Sequence, residues 1–392
     1  MAPRALALLT PVLLAVLTAC GSGEPAARPT PQASASTQAP PSGREDVPSA
    51  LVDMRHPDFP KPLVDPDHIV SGGPPPDGIP AIDAPKFQTA SAVKWLDDDE
   101  PMLSLTVGKE TRAYPLQVMT WHEIVNDTVD GVPVAVTYCP LCNSGVAFER
   151  RAAGQVLTFG TSGRLYADNL VMYDRQTESL WPQLTGQAAV GVLTGTRLRA
   201  IPMGTVAWDD FRAAHPDALV LSRDTGYERP YGQNPYTGYD DPDGDLLFAL
   251  PGGEDPRLPA KERVVGIRVG DDSLALRRSL VARDSVVTVH VGGTPVLVWH
   301  RPGQASALDQ ARVADGKDIG TVGVFDPRVD GQRLEFQAVP NGFRDSQTGS
   351  TWNVLGEAVG GPLSGRRLRP HRHLDTFWFA WVAFQPDTRL LS

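Results

Sequence analysis

The sequence predicts a mainly β fold, a β-rich α+β protein, laid out as a tandem of two related units with a few short helices. Two observations predict it: short β-branched runs between turn residues outnumber helical patterns, and the chain repeats itself. Asp174-Arg-Gln-Thr-Glu-Ser-Leu-Trp181 aligns with Asp345-Ser-Gln-Thr-Gly-Ser-Thr-Trp352 at five of eight positions. After a one-residue slip, Ala188 to Ser222 matches Ala358 to Ser392 at 13 of 35 positions, among them Gly191/Gly361, Trp208/Trp378 and Pro216/Pro386. Average composition gives roughly two or three by chance. Upstream, Val107-Gly108 pairs with Val269-Gly270 and Gly131-Val-Pro133 with Gly293-Thr-Pro295. The expected layout is a lipoprotein signal peptide over 1–20, a disordered spacer over 21–50 and an N-terminal extension over 51–84. Unit one follows over 85–222, then a Tyr/Gly/Asp-rich linker over 223–261 and a degenerate unit two over 262–392.

Within unit one, Pro115 suits the first position of a helix whose apolar face, Leu116, Val118 and Met119, extends through Ile124, with Asn126-Asp127 as its end. Val132 to Tyr138 is an apolar, β-branched run after the Asp130-Gly131 turn signal and predicts a strand. Val146 to Arg150 and Val156 to Phe159 flank Ala-Ala-Gly-Gln as a hairpin. A second helix is expected from about Trp208 to Ala214, with Gly204-Thr205 as its start and His215-Pro216 as its stop. Asp174, Gln176, Thr177, Ser179 and Trp181 recur in unit two, so they belong first to the scaffold: a Thr/Ser turn beside a buried indole.

Arg4, the apolar Ala5 to Val16 and Leu17-Thr18-Ala19-Cys20 form a signal peptide ending in a lipobox. Cleavage there makes Cys20 the N-terminus and its thiol the lipid carrier, which places the chain on the extracytoplasmic face of the cell membrane as a tethered protein. The Pro-, Ala- and Ser-rich stretch that follows cannot offset its ordering entropy and reads as a spacer. With 36 Lys+Arg against 46 Asp+Glu, the chain carries a net charge of −10. Nucleic acid is therefore excluded as a partner, since phosphate binding requires a basic footprint.

Beyond Cys20, the only cysteines are Cys139 and Cys142 in Tyr138-Cys-Pro-Leu-Cys-Asn143. A close thiol pair is a disulfide, a metal clamp or a redox couple. The continuation Ser144-Gly145-Val-Ala-Phe looks extended, unlike the helix start of a thioredoxin-type site. Zinc lacks a second cysteine pair, whereas two thiolates with an imidazole or thioether suit Cu(I). His122 is the candidate third ligand or base, Glu123 its orienting partner, and Met172 or Met119 the candidate thioether. A lone helical histidine is equally at home as a hydrogen-bonded core residue. At constant spacing, His122, Tyr138, Cys139 and Cys142 face Asp284, His300, Arg301 and Gln304, so soft ligands occur in unit one alone. Phe159-Gly-Thr-Ser-Gly163 reads as a glycine-bearing loop whose amides, with Arg164, form an anion cradle or an ordinary turn. In the linker, Tyr227, Tyr231, Tyr236 and Tyr239 suit a domain seam or a stacking surface. Asp240, Asp241, Asp243 and Asp245 read as a solvated acidic turn or a calcium loop.

Trp121-His-Glu-Ile-Val-Asn-Asp127, Tyr138-Cys-Pro-Leu-Cys142, Phe159-Gly-Thr-Ser-Gly163, Asn169-Leu-Val-Met-Tyr-Asp174 with Thr177-Glu-Ser-Leu-Trp181, Lys261-Glu-Arg-Val264 and Phe377-Trp-Phe-Ala-Trp381 together resemble the bacterial and archaeal family of domains of unknown function numbered 3179. The likeness spans nearly all of the chain after the spacer, is weakest around Trp299-His300-Arg301, and implies no particular activity. The leading expectation is a cell-envelope protein in which Cys139 and Cys142 hold copper or cycle between dithiol and disulfide, His122 is ligand or base, and Arg164 fixes an anionic partner. A ligand-binding module with a structural Cys139–Cys142 disulfide is the alternative, and a Cys139 nucleophile in hydrolase or transferase chemistry the third.

Overall fold

Val132–Cys139 holds Val132, Val134 and Val136 on a strand flanked on both sides by others, so its residues are buried on both faces from Pro133 onward. This strand is the centre of the computed structural model, which describes residues 47–392. The expected signal peptide, Cys20 and the spacer up to residue 46 lie outside the described residues. Among the described residues no helix is long and apolar enough to cross a membrane.

The chain is β-rich with four short α-helices among the described residues. In the first half, one sheet runs Met203–Ala207, Pro101–Val107, Glu110–Pro115, Leu219–Leu221, Phe87–Thr89. A second runs Arg199–Ile201, Ser144–Glu149, Val132–Cys139, Ile124–Val129, and a third Ile69–Ser71, Phe159–Tyr166, Asn169–Asp174, Leu180–Pro182. The elements from Pro101 to Cys139 have counterparts of equal length from Arg263 to Arg301, a constant 162 residues later, including the helices Leu116–His122 and Arg278–Asp284. The parallel breaks at one place. Cys139 and Ser144 are joined by a four-residue turn, whereas Arg301 and Thr321 are joined by the excursion over 302–320. Gln304, the counterpart of Cys142 by count, lies in that excursion rather than in a tight turn.

Both Asp-x-x-Thr turns act as scaffold, as expected. Asp174 accepts the Thr177 backbone N–H at 2.6 Å and the Trp181 indole N–H at 2.9 Å; Asp345 accepts from Thr348 and Trp352 at 2.6 and 3.0 Å. The helix Trp208–Ala214 stands where expected, although Gly204-Thr205 belongs to the preceding strand rather than to a cap. The first helix is shorter than its apolar pattern predicts. It ends at His122, and Glu123, at φ 58°, turns the chain into the strand Ile124–Val129. A second correction concerns Phe159-Gly-Thr-Ser-Gly163, which is a bulged strand and not a loop. Gly163 holds φ +71° there, and a Cβ on it would lie 1.9 Å from the Pro74 carbonyl oxygen.

The two halves share their largest apolar cluster, which joins Val136, Phe148 and Trp181 to Leu308, Leu374, Phe377 and Trp378. They meet reciprocally. Phe377 N–H and the Thr376 hydroxyl donate to the Cys142 carbonyl at 3.1 and 2.8 Å, and Ala207 N–H donates to the Thr321 hydroxyl at 3.2 Å. The 51–84 stretch is bound into the first half: Ile69–Ser71 pairs with Phe159–Tyr166, and Ile82 exchanges backbone bonds of 2.9 Å with Ile124 and Asn126.

Candidate functional site: a buried thiol pair

Cys139 ends the Val132–Cys139 strand and pairs with Ser144, so the hairpin tip is Pro140–Asn143. Asn143, at φ 49°, closes it by donating its N–H to the Pro140 carbonyl at 3.0 Å, and its side chain accepts the Tyr138 hydroxyl at 3.1 Å. Hairpin tips usually meet solvent because their backbone needs water. This one does not, since the second half supplies the missing donors to the Cys142 carbonyl. Cys139 is 1% and Cys142 0% exposed, and both are free thiols. The expected structural disulfide is thus corrected: the pair is close and unbonded.

The Asp168–Leu170 backbone lies across the two sulfurs. Leu170 N–H donates to Cys139 Sγ at 3.4 Å, the Asn169 amide donates to Cys142 Sγ at 3.3 Å, and the Cys142 thiol donates to the Asp168 carbonyl at 3.4 Å. Ala167 and Asp168 reach this position through consecutive left-handed residues, φ 51° and 56°. Gln183 fixes the amide of Asn169: its Oε1 accepts that N–H at 3.1 Å, while its own N–H groups go to Thr137 Oγ1 at 3.0 Å and the Ser144 carbonyl at 3.2 Å. The polar atoms around the sulfurs are therefore oriented by a continuous network.

The surroundings hold protons. Burial, then the Cys139 thiol and the Asp168 carboxyl, push the Cys142 thiol well above the ordinary range. Burial raises Asp168 to about 7 against the opposing Tyr239 hydrogen bond; that hydroxyl donates to Oδ2 at 3.1 Å, and Oδ1 has no partner. Burial alone raises Glu123 to about 8. Tyr236 is pushed up by burial and by its neighbours Glu123 and Cys139, and Tyr138 and Tyr239 rise with it. These are desolvated acids crowded together, so each resists ionising.

His122 belongs to the wall of this region, not to the sulfurs. Its Nδ1 donates to the Pro80 carbonyl at 2.7 Å, which leaves Nε2 to accept the Tyr231 hydroxyl at 2.6 Å. Burial lowers it to about 4, so the ring is neutral. Glu123 does not orient it, because both ring nitrogens are already engaged. Arg164 is elsewhere: it pairs with Ser71 and donates to the Leu51 carbonyl at 3.0 Å, which ties down the N-terminal extension. Met172 and Met119 are buried in the same apolar cluster as both cysteines. Among the described residues no three or more His, Cys, Asp and Glu side chains form a group that could hold a metal ion. With both ring nitrogens engaged, His122 does not stand as the third ligand of a copper site, and the cysteines present a two-sulfur donor set. Cys139 is too enclosed to serve as a nucleophile toward an external substrate in this conformation.

The linker forms a strap over this region. Tyr231 reaches His122, Tyr239 reaches Asp168, and the Trp121 indole donates to the Gln233 carbonyl at 3.2 Å. The strap is fastened to the 302–320 excursion: Asn234 N–H donates to the Ala311 carbonyl at 2.8 Å, Gly238 N–H to Asp309 at 2.7 Å, and Val313 N–H to Gly232 at 3.0 Å. Seam-covering tyrosines were expected; Asp168 and Gln183 were not. Asn169 opens one of the recognisable segments, but nothing in the sequence points to Asp168, whose role depends on its backbone conformation.

Fold and site together define a β-rich protein with a dithiol turn buried where its two halves meet. The chain belongs to the family described as protein of unknown function (DUF3179), whose model matches residues 76–388 and takes in every residue of the thiol site. No curated protein and no solved structure matches it.

Proposed function

We propose that the protein is a cell-envelope thiol-redox protein, tethered to the extracytoplasmic face through lipid on Cys20, in which Cys139 and Cys142 exchange with a disulfide of a partner. The observation that supports this best is the protonated surround of two adjacent free thiols. Dithiol and disulfide are both uncharged and suit a chamber where burial raises Cys142, Asp168 and Glu123 against ionising. A metal held by two thiolates would need both protons removed there, and among the described residues no His, Asp or Glu side chain forms a three-ligand group with them. In the exchange, one thiol attacks the partner disulfide, the second displaces the mixed disulfide, and the partner leaves as two thiols carrying both electrons and both protons. Cys142, the hindered acid, is the resolving thiol, which leaves Cys139 to attack first. The Cys142 thiol donates to the Asp168 backbone carbonyl at 3.4 Å, and that residue's carboxyl, raised to about 7 by burial, is the neighbouring group whose charge changes near neutral pH. Because the sulfurs are covered, exchange follows a local opening of the strap. The related halves are proposed as copies of one unit, of which the earlier retains the thiols.

The test equilibrates the chain from residue 21 onward in graded thiol–disulfide buffers, quenches with acid and counts free thiols at positions 139 and 142 after denaturation. The two are expected to oxidise together as one two-electron couple, and Cys139→Ser is expected to abolish the transition. Thiols that stay reduced throughout, with one Cu(I) bound per chain and lost in Cys139→Ser, would replace this function with copper binding.

A further inference from the structure

Lys261-Glu-Arg263, one of the recognisable segments, touches the thiol site through Tyr239 and Phe377, yet all three residues line a single cavity of about 210 Å³. Arg278, Lys317 and Asp240 complete its charged wall. Arg278 is paired with Asp375, which Arg263 also faces, and Glu262 with Arg277 at 2.9 Å; Lys261 faces Asp240, Asp241, Asp168 and Asp245, and Arg263 and Lys317 meet on the Asp240 carboxylate. That carboxylate is enclosed: Arg263 Nη2 reaches it at 3.1 Å, Lys317 Nζ at 3.0 Å, and the Ser306 hydroxyl donates to it. Lys317 also approaches Asp309 at 3.7 Å, which does not line the cavity.

Arg263 is about nine-tenths buried, and its Nε and Nη1 have no hydrogen-bond partner. A buried guanidinium with two idle nitrogens, three N–H groups in all, is a costly arrangement unless an acceptor arrives, and a planar fork of N–H groups suits the oxygens of a carboxylate or phosphate. The cavity has room for a tetrahedral oxyanion or a short dicarboxylate with some of its water. In a chain whose net charge is −10, three cations converging on one cavity stand out.

We propose that this cavity is a binding site for a small oxyanion, held by Arg263 with Lys261 and Lys317. It requires nothing of the thiol pair. Calorimetric titration of the chain from residue 21 onward with inorganic phosphate, sulfate and succinate, at fixed ionic strength, tests it. One saturable site is expected, and the ranking of the three anions tells an inorganic oxyanion from an organic carboxylate. Arg263→Gln is expected to weaken binding at least about tenfold, and Lys317→Gln, at a partly exposed side chain, a few-fold. Arg268→Gln, on an exposed side chain outside the cavity, should leave binding unchanged. No saturable binding of any of the three anions overturns the site, as does equal affinity in the parent and Arg263→Gln chains. Should Arg263→Gln not fold, unchanged affinity in Lys317→Gln overturns it instead.

Discussion

Glu123 brings a carboxyl into the thiol chamber at a position where burial alone sets its proton affinity, and that makes stability depend on pH in a definite direction. Its folded value of about 8 lies above the unfolded one, so its contribution is complete below about pH 4.5 and is lost as pH rises through 8. Asp168 and Glu100, raised to about 7 chiefly by burial, act in the same sense. His122 acts oppositely: lowered to about 4, it supports the fold above about pH 6.5 and withdraws that support as pH falls toward 4. With three raised carboxyls against one lowered histidine, the net contribution of these groups falls as pH rises from about 5 to 8. Glu123→Gln should unfold at higher urea than the parent at pH 8.5, by on the order of 3 kcal/mol, and the gain should shrink to well under about 1 kcal/mol at pH 4.5. Equal gains at both pH values would count against the buried acid. At this scale the sequence is legible for the cysteines, whose spacing marks them, but not for Glu123, Asp168 or Gln183. Their roles come from desolvation and from partners far along the chain, which residue type does not encode.

The turn Pro140–Asn143 is the element on which the thiols depend, and Asn143 is its stressed member. A left-handed φ of 49° suits asparagine or glycine and penalises a residue with an ordinary Cβ, and the side chain also accepts the Tyr138 hydroxyl. Asn143→Ala should lower stability by about 1–3 kcal/mol and Asn143→Gly by less, measured by urea unfolding at pH 6.5. If alanine and glycine prove equal, the turn is not strained. The strand before the turn was legible because Val132, Val134 and Val136 form an apolar β-branched run after a turn signal. The end of the first helix was not. Glu123 and Ser285 stop the two related helices at φ 58° and 60°, and neither is the glycine or asparagine that would announce such a stop. Phe159-Gly-Thr-Ser-Gly163 misled in the other direction: loop-like composition serves a β-bulge, because the Ser162 hydroxyl donates to the Val171 carbonyl at 2.5 Å and the glycine admits Pro74.

Across the whole molecule, the shared apolar cluster and the reciprocal contacts at Cys142 and Thr321 tie the halves into one cooperative body. Denaturant unfolding followed by tryptophan fluorescence and by far-ultraviolet circular dichroism should give coincident transitions, and a fragment over 85–222 should not unfold cooperatively. Two separated transitions in the intact chain would show independent halves. Internal similarity marked two stretches of like sequence, yet the packing that joins them was not legible. The backbone bond that seats Phe377 on Cys142 joins residues more than two hundred positions apart and leaves no local trace.

The 302–320 excursion has a consequence for chemistry at the thiols. It replaces, in the later half, the very turn that carries sulfur in the earlier one, and its carbonyls at Leu308, Asp309 and Ala311 clasp the tyrosine-bearing strap. In the proposed exchange, lifting the strap from Cys139 breaks that clasp. The half without sulfur thereby holds the latch on the half that has it.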